Sequence, residues 1–341
     1  MNQKTEVLSL SRPVYIVGGA AIVGPKEKKG PLGDDFDKAL EHLGPAKDSW
    51  ENSEIEMTVE AVTTALNKAK ISAEDLDLFC GGDLLNQICA ANFTARKLKT
   101  PFLGLYNACA TMAEGLLVCA AMIGSGLFQR GAVSASSHNA TSERQYRFPT
   151  ELGVQRPMTA QWTVTGAGAM VLDVESKENC PYISGGVIGR VVDLGVKDPN
   201  AMGAAMAPAA FDTIQRYFTY NGAYQPDDFD LILTGDLGSH GHSILLELCK
   251  REGIATGPQF QDSGMLIYSN KQDVHAGGSG AGCSASVWST HLLHEIRKGK
   301  YKRILLVGTG ALLSPITIQQ GNSIPSIAHA VVVETGEVKP C

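Results

Sequence analysis

The stretches Cys109–Val133, CATMAEGLLVCAAMIGSGLFQRGAV, and Cys283–Val307, CSASVWSTHLLHEIRKGKYKRILLV, match frame for frame over 25 residues without a gap. They stand 174 positions apart, about half of the 341-residue chain. Each opens with a cysteine behind a small-residue turn, runs through a helix-forming segment, stops at a glycine and ends in an apolar strand. Each strand then meets small residues, Ser134-Ala135-Ser136 in one and Gly308-Thr309-Gly310 in the other. A repeat at this period means one supersecondary unit used twice.

The flanks repeat as well. A strand is expected before each cysteine, at Phe102–Tyr106 and Met265–Tyr268, and helix-then-strand pairs at Ile55–Lys70 into Leu76–Cys80 and Ala209–Tyr220 into Phe229–Leu233. Opening strands are expected at Val14–Val23 and Tyr182–Val192, and closing strands at Ala167–Val174 and Ala328–Glu334. Two alanine-rich helices of similar composition would explain the 25-residue frame alone, but not these flanks. Strands alternating with helices predict an α/β fold with parallel pairing and helices on both faces. The first cysteine helix is apolar nearly all round, as in a helix buried between layers. The organisation expected is an N-terminal half over 1–178, a C-terminal half over 179–335, and a tail over 336–341.

Composition narrows the function classes. Hydrophobic residues make up 44% and charged residues 19%, the range of a globular chain. Net charge is −6 and no lysine or arginine run exceeds two residues, so nucleic acid is not expected as a partner. Eight cysteines, at 80, 89, 109, 119, 180, 249, 283 and 341, form no CxxC pair, and several lie in apolar runs. They read as free thiols of a reducing compartment. Met1–Arg12 is polar, and the longest apolar stretch, Leu116–Ile123, is far short of a bilayer span, so neither a signal nor a transmembrane segment is expected.

Cys109 is the residue that invites chemistry. The first turn of a helix leaves N–H groups unpaired and carries partial positive charge, which lowers a thiol's pKa and favours the nucleophilic thiolate. The same N–H groups can hold an oxyanion or a bound carboxylate. A small buried thiol is the plain alternative, since Cys89, Cys119 and Cys283 show cysteines used freely. The segment Asn139–Thr163 offers Arg144, Arg147 and Arg156 among Tyr146, Phe148 and Trp162, with His138 pointing to the same region. Arginine forks and an aromatic face suit a flat dianion. The same composition suits a dimer contact, and both readings stand. His240 and His242 form an HxH pair without a third zinc ligand at telling spacing, and His291 and His294 share a helix face. Asp34, Asp35 and Asp37 do not match a calcium loop. No resident metal or cofactor is expected.

Asn107-Ala-Cys-Ala-Thr-Met-Ala-Glu-Gly-Leu, together with His275-Ala-Gly-Gly-Ser-Gly-Ala-Gly-Cys, resembles the thiolase-like superfamily, which includes the ketoacyl synthases. More narrowly, the chain from Arg12 to about Glu334 resembles the stage V sporulation protein AD family of spore-forming bacilli. The resemblance implies a five-layered α-β-α-β-α fold of two pseudo-symmetric halves. It implies handling of dipicolinic acid (pyridine-2,6-dicarboxylate), alone or as its calcium chelate, for uptake into the developing spore and release at germination. It also implies a peripheral place at the spore inner membrane, other stage V sporulation membrane proteins as partners, and a homodimer paired through the strand near Gly131–Ser137.

Condensing enzymes of the resembled superfamily take a histidine, and a second histidine or asparagine, from the C-terminal half. Here the first position reads Gly235-Asp236-Leu-Gly-Ser-His240-Gly-His242, with His240 displaced. At the second, His275 stands two residues early and Gly277 occupies the motif's place. The expectation is therefore a non-catalytic binding protein, with an acyltransferase using Cys109 as the alternative and a membrane-assembling scaffold compatible with the first. The candidate ligand set is Cys109, His138, Arg144, Arg147, Arg156, Asp236, His240 and His275.

Overall fold

The computed structural model describes residues 6–43, 49–146, 156–176 and 180–336. Its first strand, β1 (Leu8–Val23), is buried without interruption from Ile16 onward, as a strand covered on both faces must be. There follow α1 (Trp50–Ala69), β2 (Leu78–Gly82), α2 (Cys89–Leu98), β3 (Phe102–Gly104), α3 (Thr111–Gly124), β4 (Arg130–Ser137), α4 (Asn139–Tyr146) and β5 (Gly166–Asp173). The second series is β6 (Tyr182–Val187), α5 (Met202–Tyr220), β7 (Leu231–Thr234), α6 (Gly238–Arg251), β8 (Phe260–Asp262), α7 (Ala281–Val287), β9 (Arg303–Ala311) and β10 (Ser326–Glu334). A π turn at Trp288–Leu292 carries α7 on into the helical turn Leu293–Arg297.

Hydrogen bonding orders the first series β1-β5-β4-β2-β3 and the second β6-β10-β9-β7-β8. In both, the order is first, fifth, fourth, second, third, so the repeat read from two 25-residue stretches extends to the whole topology. The first strands of the two series pair antiparallel, Leu8 with Gly186 and Tyr15 with Tyr182, which joins the sheets edge to edge. Helices α1 and α2 cover the outer face of the first sheet, and α5 and α6 that of the second. Between the sheets lie α3, which touches β1, β2 and β4 on one side and β9 and β10 on the other, and α7 beside it. Five layers result, α-β-α-β-α. The central position explains why α3 is apolar nearly all round. Packing there is backbone against backbone: a methyl group on Gly168 would lie 2.1 Å from the carbonyl oxygen of Ala285.

Three expectations are corrected. Met265–Tyr268 does not form a strand; the edge strand is Phe260–Asp262, and Ser263–Leu266 is a helical turn because the Asp262 carboxylate caps it, accepting the Met265 N–H at 3.2 Å. Pairing is not all parallel. β5 runs antiparallel to both β1 and β4, and β10 to both β6 and β9, since apolar strands buried on two faces carry no signal for direction. The strand near Gly131–Ser137 has no free edge for a second copy, because β4 is paired with β2 on one side and β5 on the other. Among the described residues the unpaired edge of the first sheet is β3. The expected boundary between 178 and 179 lies outside the described residues. So do Arg147, Phe148 and all of the tail but Gly336.

Candidate functional site

Cys109 sits on a single 3-10 turn, Ala108–Ala110, that leads from β3 into α3. Ala108 before it has φ +49°, a left-handed backbone that costs an alanine about 1–2 kcal/mol. The turn is held by the Thr111 hydroxyl, which donates to the Ala108 carbonyl at 2.7 Å. It is also crowded from the second sheet by Gly310, where an added methyl would lie 2.8 Å from the Asn107 oxygen. Cys109 is 7% exposed and faces a cavity of about 370 Å³. Leu84 and Asn86 after β2, Ser142, Gln145 and Tyr146 of α4, Tyr106, and the Ala311–Pro315 segment after β9 form its walls.

The neighbour of the thiol is a carboxylate. Asp236 follows β7 and is fully buried; it accepts the Ser279 hydroxyl at 3.0 Å, the Gly280 N–H at 2.9 Å and the Thr309 hydroxyl at 2.8 Å. The Cys109 thiol donates to the same carboxylate. Burial and then the Asp236 charge push the Cys109 thiol well above its ordinary range, against the opposing pull of the Gly280 N–H and the Ser279 hydroxyl. Burial raises Asp236 itself to about 6. The expected activation by the helix tip is thus overturned: the partial charge of one helical turn is outweighed by desolvation and a full negative charge. Cys283, at the pseudo-symmetric position, is likewise raised, by burial first.

Of the expected ligand set, the structure brings together Cys109 and Asp236. His138 is fully buried, accepts the Ala140 N–H on Nδ1 at 3.2 Å, and is lowered to about 4 by burial. Arg144 pairs with Glu51 and lies 5.5 Å from the Trp50 ring. Arg156 donates to the Asp273 carbonyl at 3.0 Å and carboxylate at 2.9 Å, and lies 5.0 Å from the Trp162 ring, which Lys26 also approaches at 3.9 Å. His275 contacts Pro157 O at 2.8 Å and Asp273 at 3.1 Å. His240 is exposed at the start of α6. His138, Arg144, Arg156, His240 and His275 do not line the cavity, and among its described lining residues there is no lysine, arginine or histidine. His291 and His294 both bond to Asp35, at 2.6 and 3.2 Å. Among the described residues no group of three or more His, Cys, Asp or Glu is arranged to hold a metal ion, and no helix is long and apolar enough to cross a membrane.

A buried chain beneath the cysteine turn was not foreseen from the sequence. His329 of β10 accepts the Gly189 N–H on Nδ1 at 3.0 Å, and its Nε2 lies 2.8 Å from the Asn107 side-chain amide. The Asn107 side chain also hydrogen-bonds Glu114, which burial raises above the usual carboxylate range. Burial, reinforced by Arg216, lowers His329 to about 4, so the ring stays neutral. Its signal in the sequence is a lone histidine inside the otherwise apolar Ile327–Val333 run, within a strand and not in the loops where catalytic histidines are expected.

Residues 4–334 match the family described as Stage V sporulation protein AD (SpoVAD). The Stage V sporulation protein AD of Bacillus subtilis (strain 168) is 46% identical over 322 residues, covering 94% of each chain. Among solved structures, cerulenin-bound OleA of Xanthomonas campestris is 19% identical with a TM-score of 0.60, over 95% of this chain and 97% of that one. The 3-oxoacyl-(acyl carrier protein) synthase III, FabH, of Xanthomonas oryzae is also 19% identical, with a TM-score of 0.61 over 95% and 99%. The distant pair shares the thiolase-like fold. With the whole-chain match and the closer relative, the chain belongs to the stage V sporulation protein AD family.

Proposed function

We propose that the cleft over Cys109 is a receptor site for dipicolinic acid, and that the chain binds this ligand without chemistry, for its uptake into the developing spore and its release at germination. The observation that carries the reading is a cleft whose described lining holds no histidine to polarise a thioester carbonyl or move protons, with the Cys109 thiol kept protonated by burial and the Asp236 charge. A cavity of about 370 Å³ suits a single-ring ligand. Its charge selects the ligand's form. A free dianion would be desolvated against described walls without a cation and above a buried acid, at a steep cost. The calcium chelate carries its own counter-charge and is the species we assign, with the metal arriving as cargo. The proposal includes a peripheral place at the spore inner membrane beside other stage V sporulation membrane proteins, and a homodimer.

Calorimetric titration of the purified chain with dipicolinate tests this. Saturable binding is expected with calcium and weaker binding with a calcium chelator, and Arg144→Ala and Arg156→Ala are expected to leave the affinity unchanged because both side chains are engaged away from the cleft. No saturable binding under either condition would defeat the proposal. The fold shared with condensing enzymes, with a cysteine at the central helix tip, favours acyl transfer as the second reading. Intact-mass measurement after incubation with acyl-CoA donors separates them: the receptor reading expects no Cys109-dependent mass gain.

A further inference from the structure

One wall of the cleft is held in place by a buried acid. Ser142, Gln145 and Tyr146 of α4 line the cavity, and Glu54 of α1, fully buried and outside the lining, reaches the same helix at Thr141. Its carboxyl oxygens meet the Ser136 hydroxyl of β4 at 2.9 Å and the Thr141 hydroxyl at 3.2 Å. Thr141 has one proton and a second acceptor, the His138 carbonyl at 2.9 Å, in the turn that opens α4. An ionised Glu54 competes with His138 for that proton; a neutral one donates its own to the Thr141 oxygen and leaves the shorter bond whole. At its far end α4 is tied to the next stretch of wall, because the Tyr146 hydroxyl and the Gln145 amide donate to the Leu84 carbonyl at 2.5 and 3.2 Å. Leu84 and Asn86 belong to a turn pinned by the Asp83 carboxylate, and Gln87 and Ile88 after them both have left-handed backbones (φ +61° and +48°), a costly state for residues with side chains. What moves α4 therefore pulls on a strained turn that forms the cleft beside it.

Among the described residues Glu54 meets two hydroxyls and no cation. Glu51 on its own helix is paired with Arg144 of α4. Asp83 after β2 adds a like charge, while burial keeps Cys89 at the start of α2 protonated and His138 ahead of α4 neutral. Once ionised, Glu54 is a buried charge without a partner, a state relieved by admitting water or by moving the neighbouring helix away. We propose that Glu54 is the positioning residue of the α4 wall: with its proton it holds Thr141 and the lining residues that follow it in place, and on losing the proton it releases them, so that the cleft holds its ligand more tightly in acid than in alkali; this deepens, and rests on, the reading of that cleft as a ligand site. Burial, and then the Asp83 charge, push Glu54 up to about 8, against an ordinary value of 4.5 that it regains when the wall opens to water. The closed wall is therefore favoured fully below the ordinary value and loses that advantage as pH rises through about 8.

The test titrates dipicolinate with calcium into wild type, Glu54→Gln and Thr141→Val at pH 6 and at pH 8. Glutamine keeps an acceptor for the Ser136 hydroxyl and an N–H for the Thr141 oxygen, with no proton to lose. Asp236 titrates in the same interval in all three proteins, so the comparison isolates Glu54. Between the two pH values wild-type affinity is expected to fall about three- to tenfold more than that of Glu54→Gln. Thr141→Val, which cuts the tie and keeps the acid, is expected to be weaker than wild type at pH 6 by a similar factor and to share the flatter profile of Glu54→Gln. Parallel profiles for wild type and Glu54→Gln, or Thr141→Val indistinguishable from wild type at both pH values, overturn the positioning role and leave the receptor reading standing. Loss of binding by Glu54→Gln at pH 6 also overturns it, since the neutral amide keeps both contacts. Binding to none of the three proteins defeats both.

Discussion

At pH 8 the Asp236→Asn variant is expected to be alkylated by iodoacetamide at Cys109 at least about tenfold faster than wild type. Two effects hold the wild-type thiol neutral, burial and the Asp236 carboxylate, while the Gly280 N–H and the Ser279 hydroxyl act in the opposite direction. Asparagine removes the negative charge and, with its oxygen at the Oδ2 position, retains an acceptor for the Gly280 N–H and the Ser279 hydroxyl while its NH₂ turns to the Thr309 oxygen, so the helix tip is left to act on the sulfur. Peptide mass spectrometry reads the rate at Cys109 itself. An unchanged rate would mean that burial alone silences the thiol. Asp236→Ala is the harsher change. It strands buried donors on Ser279, Gly280 and Thr309, each costing about 1–3 kcal/mol, and a large fall in stability is expected.

The second large effect belongs to a buried acid pair beside the cleft wall. Glu54 of α1 is fully buried and accepts the Ser136 hydroxyl at 2.9 Å and the Thr141 hydroxyl at 3.2 Å. Asp83, also buried, is fixed by the N–H groups of Leu85 at 2.9 Å and Ala91 at 2.8 Å. Burial, and then the Asp83 charge, push Glu54 up to about 8, and burial raises Asp83 to about 6. The nearby basic side chains do not compensate the pair: His138 is held neutral, and Arg144 is committed to Glu51.

A carboxyl whose folded pKa lies above its unfolded value favours the folded state most at low pH. That advantage is present below the unfolded value near 4.5 and is lost as pH rises through about 8, because the unfolded chain releases the proton first. Each tenfold difference in proton affinity between the folded and unfolded chain is worth about 1.4 kcal/mol. Wild-type unfolding free energy is therefore expected to fall by a few kcal/mol between about pH 5 and about pH 8. Glu54→Gln, with no proton to lose, flattens that slope and is the more stable protein at the upper end. Denaturant unfolding at the two pH values checks it; parallel slopes for the two proteins would show that Glu54 does not keep its proton.

The duplicated frame was legible because its helix and strand are buried on nearly every side, which leaves a long apolar signature ending at glycines. Strand direction was not legible, since residues such as Val331 and Val171 pack equally well in either sense. The departure at Met265–Tyr268 has a local cause, an aspartate cap that turns apolar residues into a helical turn. At the site, Cys109 was visible from its place before a helix. The role of Asp236 was not, because one aspartate in a glycine-rich turn says nothing about which sulfur the fold will bring to it. Arg144 and Arg156 looked like ligand clamps by type, yet Glu51 and Asp273, distant in sequence, had already claimed them.

The pH profile of iodoacetamide modification at Cys109 in the wild-type chain, resolved by peptide mass spectrometry, probes the state of that sulfur directly. A rate still climbing at pH 9 with no plateau is the predicted profile, the mark of a thiol that an adjoining acid keeps protonated. A plateau reached by pH 7 would reveal a standing thiolate and return the cleft to acyl-transfer chemistry.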